Sequence, residues 1–352
     1  MYIAGRFAIA GAKVRISTDY LPWKEYLDMH FGKLLTPDSR DDVDIDINGL
    51  WLNELWGSRP LRAERTERFP DRVGGSIVRS ENEICWVQKL RGRRLRIIAT
   101  WQKNRFLVES LFQRKVIKDV TKELLGSSGS LRLFELTYQL VYYPAWYYLE
   151  TAKGVHFLHG SAVRLGDSAV VFAGLEGIGK TTLALAFLGY DGELISDNIL
   201  CYTETGVVTM PEPIRLHSTA LPFMSRLSLR KIRMGKAQKG FYELGNACLD
   251  EATAVKAVFL PVCGDRTEII PISAEQCAHF ILAANHLTGE IGGYQPFVSC
   301  MSMLRPDAAI DSSRREKLVK LLSGARSAIL RVKRDGDIET LAHTILSWLE
   351  GT

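Results

Sequence analysis

Apolar and polar positions recur along this chain with periods that predict most of its elements. Asp42-Val43-Asp44-Ile45-Asp46-Ile47 alternates strictly, the pattern of a strand with one wet face. Apolar runs at 76–79, 84–87 and 95–101, parted by polar turns, predict an antiparallel meander. From 131 to 143 the period is helical, with Leu133, Leu136, Leu140 and Val141 on one face and Pro144 set to end or kink the helix. Later strands are expected at 155–163, 168–173, 193–196, 199–202, 207–210, 211–216, 254–261, 267–271 and 327–332, those of 199–216 on one sheet. Helices are expected at 181–188, at 274–285 behind the capping box of Ser273 and Gln276, and at 317–322 behind Ser313 and Glu316. Asp337 caps a last helix, in which Ile338, Leu341, Ala342, Ile345 and Leu349 share a face.

Length and composition set the frame for these elements. At 352 residues, 46% hydrophobic and 24% charged, the chain is an ordinary globular sequence long enough for two domains. Gly126-Ser127-Ser128-Gly129-Ser130 is the clearest flexible punctuation, so an α+β domain over 1–130 and a second domain over 131–352 are expected. A formal charge of +5 is too mild to call for nucleic acid. No apolar run reaches the roughly 18–20 residues of a membrane span, and the start lacks a basic region followed by a long apolar one. A cytoplasmic location without membrane attachment is expected. The six cysteines are scattered with no C-x-x-C pair, which favours reduced thiols over a zinc site or disulfides.

Several clusters read as structure. The aspartates of 42–46 have no partner ligand nearby in sequence and suit a solvated face. Lys89, Arg91, Arg93, Arg94 and Arg96 suit a hairpin turn in solvent. Tyr138, Tyr142, Tyr143, Trp146, Tyr147 and Tyr148 suit core packing between two domains.

The chemistry concentrates after residue 155. Gly174-Leu175-Glu176-Gly177-Ile178-Gly179-Lys180-Thr181 fits the P-loop pattern G-x-x-x-x-G-K-[ST], with Thr182 behind it, a strand before it and a helix after it. Backbone N–H groups of such a loop converge on phosphate, aided by the helix dipole. Lys180 would neutralise the β- and γ-phosphates of ATP, and the Thr181 hydroxyl would ligate Mg²⁺. Glu193-Leu194-Ile195-Ser196-Asp197 is an apolar strand ending in a carboxylate, placed to hold Mg²⁺ or to take a proton from an attacking hydroxyl. The strand at 155–163 carries His159 and Ser161 on one face. Arg215 is a candidate phosphate contact. A second basic cluster includes Arg226 and Arg230, which four-residue spacing would project together from a helix toward phosphate or an acidic substrate.

His159-Gly160, the P-loop and Leu194-Ile195-Ser196-Asp197-Asn198 together resemble the catalytic core of HPr kinase/phosphorylase and of the kinase-like proteins of lasso-peptide pathways. That core is also similar to ATP-type phosphoenolpyruvate carboxykinase. The resemblance covers 155 to about 220 and implies a mixed-sheet nucleotide-binding domain. It implies an ATP- and Mg²⁺-dependent kinase with Asp197 as base, His159 beside the transfer centre, and Lys180 and the loop on phosphate. The acceptor would be a hydroxyl of a peptide, small protein or metabolite, the first domain would recognise it, and a homo-oligomer is compatible. Asn198 stands where the family has a second aspartate, and the glycine-rich signature that follows in HPr kinases is missing. A nucleotide-binding regulator or scaffold with little phosphotransfer is the alternative.

Overall fold

Strand periodicity places hydrophobic side chains on both faces of one sheet and on one face of another, and the two sheets organise two units. A computed structural model describes residues 2–32, 43–52, 65–67, 77–90, 93–102, 105–113, 129–217, 229–234, 239–244, 251–333 and 337–351. One unit is Met1–Lys153 with Gly293–Ala309, and the other is Gly154–Gly292 with Ile310–Thr352. Both sheets mix parallel and antiparallel pairs, so the chain is a mixed α/β protein. No described helix is long and apolar enough to cross a membrane.

In the first unit, β1 (Tyr2–Ile9) and β2 (Ala12–Thr18) form a hairpin followed by α1 (Leu21–Phe31). β3 (Ile45–Leu52), β4 (Arg65–Glu67), β5 (Ile77–Arg79), β6 (Glu83–Leu90), β7 (Arg93–Gln102) and β8 (Arg105–Gln113) complete a sheet of order β1-β2-β3-β8-β7-β6-β5-β4. The meander expected from 76 to 101 is the antiparallel run β5-β6-β7. Asp46 departs from the solvated face predicted for it. β3 lies between β2 and β8, so Asp46 sits opposite Arg15 in register and is buried, bonded to Arg15 and to Arg105 (2.5 Å).

Pro144 does not end the helix that begins near 131. The chain stays helical through α2 (Gly129–Thr137), a π turn (Tyr138–Tyr142), α3 (Tyr143–Tyr148) and a second π turn (Leu149–Lys153). The first π turn shifts the hydrogen-bond register just where the proline brings no N–H, and Pro144 falls in the first turn of α3, where none is needed. Trp23 Nε1 donates to Thr137 Oγ1 (3.1 Å), and His30 Nε2 lies 2.6 Å from the Tyr142 hydroxyl. These contacts explain why 131–153, expected to open the second domain, belong to the first unit. The tyrosines and Trp146 pack inside that unit, against His30, Phe31 and Tyr294.

The second unit runs through β9 (His156–Leu165), β10 (Ser168–Ala173), α4 (Lys180–Ala186), β11 (Glu193–Ser196), β12 (Ile199–Tyr202) and β13 (Val207–Val208). β14 (Ile214–His217), β15 (Leu229–Met234) and β16 (Lys239–Leu244) follow, then β17 (Val255–Gly264), β18 (Glu268–Pro271), α5 (Ala274–His286) and the start of α6 (Gly289–Leu304), which from Gly293 on belongs to the first unit. α7 (Ile310–Ser323), β19 (Arg326–Lys333) and α8 (Ile338–Glu350) close the chain. The main sheet has the order β13-β12-β9-β10-β17-β19-β18, with β11 also on β9; β17 runs parallel to both β10 and β19.

Alternation along the central strands builds two cores. Val170, Phe172, Ala257 and Phe259 point to one face and pack with Leu183, Leu341 and Ile345 of α4 and α8. Ala169, Val171, Val258 and Leu260 point to the other and meet Cys277, Ile281, Leu318 and Leu321 of α5 and α7. Strands buried on both faces read as unbroken apolar runs, which is why 168–173 was legible.

Two elements differ from expectation. The strand expected at 211–216 with the main sheet is β14, in a separate sheet of order β14-β16-β15, because Pro211 and Pro213 lack N–H donors and break the ladder after β13. The helix expected to open at Ser313 opens at Ile310; Ser313 lies inside α7, with its hydroxyl 2.9 Å from His156 Nε2. The Ser273–Gln276 capping box is present with both bonds (3.1 and 3.0 Å), and Asp337 caps α8 through the Thr340 N–H (2.8 Å).

Candidate functional site

The site is built on the register of β9. That strand pairs with β10 on one edge and, in succession, with β11 and β12 on the other. Ala173, the last residue of β10, faces Gly160, so the P-loop leaves its strand directly beside His159: the Gly174 N–H donates to the His159 carbonyl (3.4 Å). Gly160 must be glycine here. A Cβ would lie 2.8 Å from the Phe172 carbonyl oxygen, closer than real contacts allow.

β11 reaches Ser196 opposite Ala162 after a bulge, and β12 starts at Ile199 opposite His159. Asp197 and Asn198 are therefore the corner between two strands that share one partner. Asn198 takes a left-handed turn (φ 70°), and its carbonyl accepts from the Gly160 N–H (3.1 Å). The corner aims Asp197 inward, where its Oδ1 accepts hydroxyls from Ser161 (2.6 Å) on β9 and Thr181 (2.7 Å) on α4. Among the described residues no hydrogen bond reaches Oδ2. Asp197 is 3% exposed, so a substrate approaching Oδ2 meets a carboxylate largely removed from water.

The loop residues Gly174, Glu176, Gly177, Ile178 and Gly179 arch between β10 and α4. Gly177 (φ 76°) and Gly179 (φ 90°) adopt backbone that other residues enter only with strain, and the alternating turns they permit are the geometry that gathers N–H groups into an anion nest. Lys180 folds back along the arch. Its ammonium donates to the carbonyls of Gly174 (2.9 Å) and Leu175 (2.5 Å), which fixes a buried cation against the loop. Thr181 and Thr182 lie in the first turn of α4. The Thr181 hydroxyl and the Asp197 carboxylate are hard oxygen donors held side by side, a pair that suits Mg²⁺. Among the described residues no group of three His, Cys, Asp or Glu side chains forms a fuller cage, and Mg²⁺ commonly takes one or two protein ligands with phosphate and water supplying the rest.

His159 is buried, and its Nδ1 has no hydrogen-bond partner among the described residues. Burial, reinforced by the Lys180 charge, lowers its pKa to about 4, with Glu290 opposing the shift. At neutral pH the ring is therefore uncharged. Its backbone is held by Asn285, whose Oδ1 accepts from the His159 N–H (2.9 Å) and whose Nδ2 donates to the Phe157 carbonyl (3.2 Å). β10 has ended at this level, so the Asn285 amide supplies the donor and acceptor that a neighbouring strand would.

Arg215 lies in a network that periodicity did not suggest. It bonds Glu212 (2.7 Å) and Glu290 (2.5 Å), and the Asn198 Nδ2 donates to the other oxygen of Glu212 (3.1 Å). This gives Asn198 a physical reason. An amide donates to the Glu212 carboxylate, whereas an aspartate there would set two anions against each other. Burial pushes the Glu290 carboxyl up, but Arg215 outweighs it and holds the group below its ordinary range. Arg230 lies in β15, a strand rather than a helix, and Arg226 lies outside the described residues. The structure thus brings together His159, Ser161, Lys180, Thr181 and Asp197, and adds Asn285, Glu212 and Glu290. A scan against protein-family models finds no match to this chain, and neither does a search of curated proteins.

Proposed function

We propose that this chain is an ATP-dependent kinase of the HPr-kinase-like kind, passing a γ-phosphoryl group to a hydroxyl on a peptide, small protein or metabolite. One observation carries the reading: a buried carboxylate, Asp197, is held through Oδ1 by the threonine of the loop pattern and by Ser161, while no hydrogen bond from the described residues reaches Oδ2. The nested loop and Lys180 bind and orient the polyphosphate. Asp197 Oδ2 takes the acceptor's hydroxyl proton as the new O–P bond forms and the bond from the γ-phosphorus to the bridging oxygen breaks, leaving ADP. Neutral His159 can donate a hydrogen bond beside the transferring group without adding charge. Thr181 and Asp197 would hold Mg²⁺, which when bound neutralises the phosphate oxygens.

A second reading, a nucleotide-binding regulator with little phosphotransfer, is favoured by Asn198: with its amide committed to Glu212, Asp197 is the only acid at the strand corner. Incubating the full chain with γ-labelled ATP, Mg²⁺ and hydroxyl-bearing peptides and metabolites separates the two. The kinase reading expects labelled acceptor, lost in Lys180→Ala. Tight nucleotide binding with neither transfer nor hydrolysis leaves the regulator, and absence of nucleotide binding removes both.

A further inference from the structure

Arg215 is too well placed to be only an internal ion-pair partner. Its guanidinium stands between two carboxylates of unequal burial: the Glu212 side chain is 1% exposed and that of Glu290 12%. Glu212 is fixed from both directions, by the Asn198 amide at the Asp197 corner and by Pro211 and Pro213 on either side of it in sequence. Glu290 lies in the first turn of α6. Glu212 and Asn198 tie Arg215 through two hydrogen bonds (2.7 and 3.1 Å) to the strand corner that carries Asp197, and its charge, with those of Lys180 and Glu290, acts on the His159 ring.

We propose that Arg215 is a catalytic cation held in reserve, which keeps Glu212 as its anchor and exchanges Glu290 for the transferring phosphoryl group when a nucleoside triphosphate binds. This rests on the kinase reading above and adds a residue to it. The planar guanidinium fork can hold a carboxylate with one nitrogen and a phosphoryl oxygen with another, a division of labour that a lysine ammonium does not reproduce. No bond is made or broken by the exchange itself. Arg215 contributes charge at the three equatorial oxygens as negative charge spreads over them in transfer. Glu290 then loses the charge that most holds its carboxyl below the ordinary range against burial.

The two partners of this ion pair should therefore respond in opposite directions. In the full chain with Mg²⁺, calorimetry would give the dissociation constants of ADP and of a non-hydrolysable ATP analogue for the wild type, Arg215→Gln, Arg215→Lys and Glu290→Gln. Circular dichroism melts would confirm that each variant folds. Arg215→Gln should narrow the preference for triphosphate over diphosphate by about tenfold or more, the scale of one lost charge-assisted hydrogen bond. Arg215→Lys should narrow it less, and Glu290→Gln, which mimics the protonated carboxyl and frees the arginine, should widen it. If Arg215→Gln does not fold, the opposed shifts of Arg215→Lys and Glu290→Gln carry the test. Equal shifts in both partners' variants, or none, would overturn the exchange while leaving the kinase reading standing. A wild-type chain that binds neither nucleotide would overturn both.

Discussion

Replacing Asp197 with asparagine isolates its charge from its place in the fold. The asparagine keeps a carbonyl oxygen where Oδ1 now accepts the Ser161 and Thr181 hydroxyls, at 2.6 and 2.7 Å. Each bond weakens from charge-assisted to neutral, roughly 1 kcal/mol apiece, so the variant should lose about 2 kcal/mol and still fold. Its capacity to take a proton disappears altogether. General-base catalysis contributes about 10²–10⁴-fold, so turnover should fall by that factor, while ATP affinity changes modestly. Asp197→Ala is the contrasting control. It strands the buried Ser161 hydroxyl as well, which costs about 1–3 kcal/mol of stability on top of the lost activity. Labelled transfer measured across a Mg²⁺ titration separates the two roles of the carboxylate: recovery of rate at high Mg²⁺ assigns Asp197 to the metal, and a flat response assigns it to the proton. Turnover in Asp197→Asn within a few-fold of wild type would refute both roles and the reasoning from the corner geometry with them.

Asn285→Ala removes the only side chain bonded to both the His159 N–H and the Phe157 carbonyl among the described residues, and should cost about 1–3 kcal/mol for each buried group left unsatisfied. Denaturant melts would read it, and a midpoint unchanged from wild type would show that these groups find other partners. His159 is held neutral in the fold, so its contribution to stability is full above its unfolded value near 6.5 and is lost as pH falls toward about 4. Across that window the wild type should lose stability more steeply than His159→Gln, by on the order of 1 kcal/mol per pH unit at most, and identical slopes would contradict the burial argument.

What was legible in the sequence followed how local the cause was. β10 and β17 announced themselves as apolar runs because both faces of each are covered, and the caps at Ser273 and Asp337 are settled within four residues of chain. Elements whose fate depends on distant neighbours read less well. Asp46 has the alternation of a half-wet strand, yet its strand is interior and its charge is met by Arg15 and Arg105 from the strands on either side. Pro144 carries a strong local rule for ending helices, and a π turn just before it absorbed the defect. The aromatic rings near it go to the first unit because Trp23 and His30, more than a hundred residues earlier, supply their partners.

The site divides along the same line. The loop pattern and Asp197 are visible because the pattern sets particular residues at fixed spacing, with the strand end as the second clue. The other half is assembled by register: Gly160 opposite Ala173 and Ile199 opposite His159 fold the chain so that the Ser161 hydroxyl donates to the carboxylate of Asp197. Asn285 and Glu290 arrive from beyond β17, and nothing in their neighbourhoods distinguishes them from residues at any helix end. The apparent defect of the motif, asparagine where relatives of the resembling family carry a second acid, also changes meaning once Glu212 is beside it. An amide at that position holds Glu212, Glu212 holds Arg215, and the charge of that arginine acts on the His159 ring. Asn198 and Arg215 are two ends of one network, so Asn198→Asp alone should weaken the site by setting a second anion against Glu212.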